Sequence, residues 1–163
     1  MDAGLSLRSS ILSATGCTFD ATVTADYGNQ TYTFAMGCEF DAHGNLTFTV
    51  RSPQTIAGIS GTVGTEGGAL RFDDTALSFP LLADEQLSPV SAPWVFMKTL
   101  RSGFITSAGK DGELLRLIID ETYEQKTVTA HVWLDENTIP VQADLYWDGR
   151  RILTLEVINF QIL

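Results

Sequence analysis

CTFDATVTADYGNQTYTFAMGCEFDAHGNLTFTV, residues 17–50, alternates apolar and polar side chains almost throughout. Cys17, Phe19, Ala21, Val23 and Ala25 fall on one side, with Thr18, Asp20, Thr22, Thr24 and Asp26 between them. A period of two is that of a half-buried strand, because successive side chains point to opposite faces. Gly28-Asn29 supplies a two-residue hairpin turn. Tyr32, Phe34, Met36, Cys38 and Phe40 line the return strand. Pairing Tyr27 with Gln30 sets Val23 against Phe34 and Phe19 against Cys38, so every apolar side chain meets another. Asp41-Ala42-His43-Gly44 makes the next turn, with Gly44 suited to a left-handed backbone. Asn45 opposite Asp41 then aligns Leu46, Phe48 and Val50 with Phe40, Cys38 and Met36. Three successive strands share one apolar face rich in aromatic rings.

Upstream, Leu7, Ile11 and Ala14 follow the spacing of one helical face, and Gly16 ends a short amphipathic helix over Leu5 to Ala14. Downstream, Pro53 interrupts the alternation. Ile56 to Val63 and Ala69 to Phe72 read as a fourth and fifth strand joined by Gly64-Thr65-Glu66-Gly67-Gly68, and Leu77 with Phe79 adds a short sixth. Gly58 and Gly61 inside the fourth strand mark either a bulge or a close backbone approach, and a bulge that curves the sheet is the preferred reading. Leu81 to Val90 is irregular. Ser91 then stands as an N-cap before Ala92 and Pro93, Trp94, Phe96, Met97 and Leu100 form an apolar stripe, and Gly103 closes the helix Ala92 to Ser102. Phe104 to Ala108 and Glu113 to Asp120 flank a Gly109-Lys110-Asp111-Gly112 turn. Thr127 to Asp135 sets Val128, Ala130, Val132 and Leu134 against Thr129, His131 and Trp133 on the other side. Val141 to Trp147 and Ile152 to Leu163 follow, separated by Asp148-Gly149. The expectation is a mainly β (α+β) chain, an antiparallel meander of about ten or eleven strands with two helices, forming one domain over residues 1–163.

Composition narrows the function. At 163 residues, 44% hydrophobic and 18% charged, the chain can bury a core without staples. Twenty acidic against ten basic side chains give a formal charge of −10, which argues against nucleic acid as a partner, since phosphate backbones call for clustered Lys and Arg. The acids are scattered, as in Asp73-Asp74, Asp84-Glu85 and Asp120-Glu121, and solubility accounts for them. No run approaches the ~18 apolar residues of a membrane helix. Met1-Asp2 offers no basic, apolar signal sequence, so the chain is either cytoplasmic or starts after a removed leader.

Residues for chemistry are sparse. His43 sits in a turn and His131 on the polar side of a strand, and no GxSxG surrounds a serine. The histidines have no ligand spacing to the cysteines, Gly58 to Gly68 lacks the Lys-Ser or Lys-Thr of a phosphate loop, and no EF-hand pattern of acids occurs. No catalytic residue, metal ligand or cofactor is nominated, and the reading is non-enzymatic. Cys17 and Cys38 fall on one face of adjacent strands, one diagonal step apart. They are either two buried thiols or a disulfide, and a disulfide would point to an exported protein.

A pattern in the second half resembles a known superfamily. Ser88-Pro89-Val90 leads into the helix. Val132-Trp133-Leu134-Asp135 is followed by Ile139-Pro140-Val141-Gln142-Ala143-Asp144, then by Asp148-Gly149-Arg150-Arg151-Ile152-Leu153 and Ile158-Asn159-Phe160. With the order of elements, this looks like the LolA/LolB-like lipoprotein-carrier superfamily and the Gram-positive envelope lipoproteins that share its fold. The resemblance implies a meander curled into an incomplete barrel with a helix over its open mouth. It implies an extracytoplasmic lipoprotein, monomeric, whose only membrane contact is an N-terminal lipid anchor absent from this chain. No lipobox cysteine stands at the start of this sequence and no functional residue is matched position by position. The leading expectation is a carrier of a lipid, acyl chain or other hydrophobic small molecule between sheet and helix, lined by Phe19, Val23, Tyr32, Phe34, Met36, Phe48, Trp94, Phe96 and Met97. The alternative is an envelope-tethered module with a dry core that binds a protein or glycan through Trp133, Tyr146 and Trp147, with capping of the barrel end as the other reading of Trp147.

Overall fold

A computed structural model describes residues 2–26, 28–65, 67–72, 75–79, 82–83, 86–87, 89–123 and 126–163. The Tyr27 end of the first hairpin, Asp73-Asp74 and Asp84-Glu85 lie outside the described residues. The elements are α1 (Asp2–Ser13), β1 (Gly16–Asp26), β2 (Thr31–Asp41), β3 (Leu46–Ser52), β4 (Ser60–Gly64), β5 (Gly67–Phe72), β6 (Thr75–Phe79), β7 (Leu82–Ala83), β8 (Gln86–Leu87), α2 (Ala92–Ser102), β9 (Phe104–Asp111), β10 (Leu114–Tyr123), β11 (Lys126–Leu134), β12 (Pro140–Trp147) and β13 (Arg150–Ile162). Eleven strands form one antiparallel sheet in the order β6-β5-β4-β3-β2-β1-β13-β12-β11-β10-β9, open at β6 and β9, and β7-β8 pair separately. This is the expected open meander. The pairing of β1 with β13, first strand with last, joins its two halves.

The register of the first three strands is the one the alternation requires. Val23 faces Phe34 and Phe19 faces Cys38 across β1-β2. Phe40, Cys38 and Met36 face Leu46, Phe48 and Val50 across β2-β3. Their apolar side chains are buried together with Leu117, Ile119, Val128, Ala130, Val132, Leu134, Leu145, Leu153 and Leu155 from the other half. Each large side chain so buried stabilises the fold by roughly 1.5–3 kcal/mol.

Several local readings change. The segment read as one strand from Ile56 divides into a 3-10 turn at Gln54–Ile56 and then β4. Gly58 lies outside the strand at φ 94°. Gly61 is no bulge, because its pairings to β3 and β5 run without a register shift. A β-carbon there would run into the Ala69 carbonyl and stand 2.9 Å from the Phe48 ring, so the glycine admits a close approach of backbones. Within Leu81 to Val90, read as irregular, β7 and β8 pair antiparallel.

α2 has the bounds its sequence predicts, with different ends. Ser91 makes no side-chain capping bond, and its hydroxyl is buried without a partner among the described residues. Gly103 is extended at φ −71°, so its freedom to turn left-handed is unused. It is needed because a β-carbon would stand 2.5 Å from Ile119 Cγ2 and 2.8 Å from the Thr99 carbonyl. The helix is also more than a one-sided lid. Val95 and Thr99 are buried along with the predicted stripe, and Lys98 is only half-buried. A helix buried on nearly every side belongs to the core.

Candidate functional site

Two surfaces could bind, the concave face against α2 and the opposite face of β10–β12. On the concave side, Phe19, Val23, Phe34, Met36, Phe48, Trp94, Phe96 and Met97 are all buried. Phe19 packs edge-on against Phe96 at 5.7 Å between ring centroids and stacks on Phe160 at 5.7 Å. Tyr32 departs from this set. It is 47% exposed near the turn end of β2, and its hydroxyl donates to Gln30 Oε1.

α2 is held at both ends. The Trp94 indole donates to the Gly44 carbonyl at 2.9 Å, and the Arg101 guanidinium donates to the Ala42 carbonyl at 2.8 Å. Arg8 reaches from α1 to donate through Nε to the Leu100 carbonyl at 2.7 Å and through Nη2 to Thr99 at 3.2 Å. A helix leaves its last carbonyls unpaired and its C-terminus partially negative, so a guanidinium there satisfies both. Lys98 lies 3.1 Å from Glu121 of β10.

Two hollows among the described residues are lined mostly by side chains outside this core set. One of about 360 Å³ is lined by Asp20, Gly37, Thr49, Arg51 and Asn159. There Arg51 donates to Asp20 at 2.6 Å, and the Asn159 amide donates to the other Asp20 oxygen at 3.1 Å. Asn159 has φ 56° beside a register shift in the β1-β13 ladder. The other, of about 840 Å³, lies beside the β4-β5 hairpin among Asp41, Asn45, Thr62 and Gly67. Both are lined mainly by polar residues.

On the opposite face of β10–β12, Trp133, His131 and Tyr146 make a continuous strip of half-buried rings. The His131 ring lies 6.2 Å from Trp133 and 4.8 Å from Tyr146. The Trp133 indole donates to Asp111 at 2.8 Å, which fixes the ring in place. Arg116 pairs across from Trp133, and Asp144 across from His131. Asp144 is 5% exposed; Arg151 approaches one of its oxygens at 3.5 Å, and the other has no partner among the described residues. Burial, helped by the Arg116 charge, holds the His131 pKa below its ordinary value, while Asp144 and Asp120 pull the other way. Trp147, grouped with these rings by sequence, is 5% exposed and belongs to the core. Sequence reasoning placed Trp133 and Tyr146 on the outer side but missed Arg116, Asp144 and the part His131 plays. Alternation along one strand gives a face; the neighbours across the sheet depend on the bulges at Trp133/Leu134 and Leu145/Tyr146.

Cys17 and Cys38 are both buried free thiols. Among the described residues no three His, Cys, Asp or Glu side chains gather to hold a metal, and no helix is long and apolar enough to cross a membrane.

By sequence, the chain matches no protein-family model and no curated protein. Its fold does have relatives. It is similar to a domain from Vibrio parahaemolyticus described as an outer membrane lipoprotein-sorting protein, at 9% identity over 99% of this chain and 91% of that one, with a TM-score of 0.53. A LolA superfamily protein from Nitrosomonas europaea superposes over 98% of this chain and 93% of its own, at 6% identity and a TM-score of 0.50. A chain in the complex of the CwlD amidase from Clostridioides difficile with the GerS lipoprotein matches over 99% of this chain and 95% of its own, at 10% identity and a TM-score of 0.50. The chain shares its fold with these structures, one of which is described as a LolA superfamily protein.

Proposed function

We propose that this chain is a non-enzymatic binding module of the cell envelope, carried on an N-terminal lipid anchor, which acts through its outer surface around a dry core. The observation that carries this reading is the filled interior: the side chains facing α2 pack against one another, and the helix is pinned at both ends. An acyl chain in that position would have to displace buried rings and break those bonds. The fold agrees with an envelope setting, since neighbours are described as lipoprotein-sorting or lipoprotein structures, and one of them comes from a complex between two proteins.

A second reading keeps the hydrophobic ligand. Met36 and Met97 sit in the core, and their unbranched side chains can repack around a guest more readily than rings can. Native mass spectrometry separates the two. The chain purified without detergent and then incubated with phospholipid vesicles should be recovered at its bare mass of 17.8 kDa. A lipid adduct that survives transfer would overturn the dry-core reading and establish the carrier.

A further inference from the structure

We propose that the outer face of β10–β12 is a docking surface for a partner protein that presents a carboxylate to Arg116 and lays an apolar side chain on Trp133 and Tyr146. The inference rests on the binding-module reading and supplies its surface and the chemistry of its partner.

Three observations meet at this face. The rings are set before any partner arrives: Trp133 is held by Asp111, and His131 sits between Trp133 and Tyr146 at ring-contact distances. Rigid aromatic side chains already in place lose little entropy on binding, which is why Trp, Tyr and Arg dominate the energetics of protein interfaces. The second observation is charge. Arg8, Arg51, Arg101, Arg150 and Arg151 each hold an acceptor. Arg116 is exposed and makes no hydrogen bond or ion pair with a described residue, in a chain of formal charge −10. A guanidinium left over where carboxylates are plentiful is available to one from outside, and its planar fork suits a bidentate grip. The third is access. Arg116 pairs with Gly109 on β9, an end strand of the sheet, and among the described residues no atom beyond Gly109 and its chain neighbours lies within 4 Å of where a Gly109 β-carbon would be.

His131 fits this arrangement as a neutral spacer. Burial and Arg116 favour its uncharged form, so at neutral pH the ring offers flat surface beside the Arg116 cation. At the Tyr146 end, buried Asp144 lies 3.5 Å from Arg151, whose exposed side chain is thereby committed to a carboxylate of this chain.

The test is a selection of random peptides displayed on phage against the folded chain, followed by affinities of the selected peptides for variants. Peptides combining Asp or Glu with an aromatic or large aliphatic residue should be enriched. R116E should weaken them by about tenfold or more, and the same selection repeated on R116E should turn toward Lys and Arg. Because Trp133 is half-buried, W133F serves beside W133A: it keeps a ring and removes the bond to Asp111, and circular dichroism confirms the fold of each. Binding should also shift the Trp133 indole N–H resonance. Peptides without acids, affinities indifferent to R116E, or a polysaccharide that binds these rings while no acidic peptide is recovered would each overturn the proposal. Peptides that leave the Trp133 resonance unmoved would remove this surface while leaving a binding module; a lipid retained in the core would remove the module itself.

Discussion

Gly61 stands where no β-carbon fits, between the Phe48 ring and the Ala69 carbonyl. Its sequence context allowed a bulge or a close approach, and the two differ only in what lies across the sheet. Inward positions were readable one strand at a time, because alternation alone separates Phe19 and Val23 from Thr18 and Thr22. The cysteines show the same limit. The register placed Cys17 and Cys38 one diagonal step apart, and both lie buried as thiols. Burial pushes Cys17 up to about 11 and Cys38 up to about 12, with Asp20 adding to the rise at Cys38 and Arg51 opposing it. The attacking species is the thiolate, which at pH 8 is then on the order of a thousandth of Cys17 and less of Cys38. Iodoacetamide at pH 8 should therefore leave the folded chain unmodified, and should add two groups to the chain unfolded in urea, with or without reductant. Two groups appearing only after reduction would establish a disulfide and sink this expectation.

At the scale of the element, α2 shows how far helical periodicity reads. The stripe Trp94, Phe96, Met97 and Leu100 and the stop at Gly103 placed the helix at its observed bounds. That nearly all of its circumference is buried could not be read from it, because what holds it comes from elsewhere in the chain. Arg8 lies 92 residues from Leu100, and the Gly44 carbonyl 50 residues from Trp94. Arg8 is partly buried, and burial pulls its pKa down while Glu121 raises it, so its charge is held against a desolvation cost. Replacing it with Met keeps much of the packing of its stem and removes both donors. The Leu100 and Thr99 carbonyls would then lose their side-chain partner, which costs about 1–3 kcal/mol where water cannot replace it. R8M should lower the urea midpoint accordingly, with amide exchange accelerated first in the last turn of α2. An unchanged midpoint would mean that packing alone holds the two helices together.

For the whole molecule, the meander was readable, because hairpin turns and alternation make each strand's next neighbour its partner, whereas its curl into an incomplete barrel came only from the resemblance in the second half. The joining of β1 to β13 was not readable, since the two are separated by nearly the whole chain and no turn links them. The net charge, in contrast, is a property of the sequence alone and has a consequence for the folded state. Asp20, Asp26, Glu121 and Asp144 each meet a cation at 4.0 Å or less. Even if each of the ten basic side chains held one of the twenty acids, ten acids would remain to repel one another. Exposed ion pairs contribute only about 0–1 kcal/mol each, and salt weakens them. Salt also weakens the repulsion, which acts over the whole surface when the screening length is about 30 Å in 10 mM salt and much less once it falls below about 10 Å. Repulsion therefore outweighs attraction in this chain, and the urea midpoint at pH 7 should rise as sodium chloride goes from 10 to 300 mM. R51A, which removes the exposed partner of Asp20, should show the same upward slope. A midpoint that falls with salt would mean that the ion pairs, few as they are, govern the electrostatics of the fold.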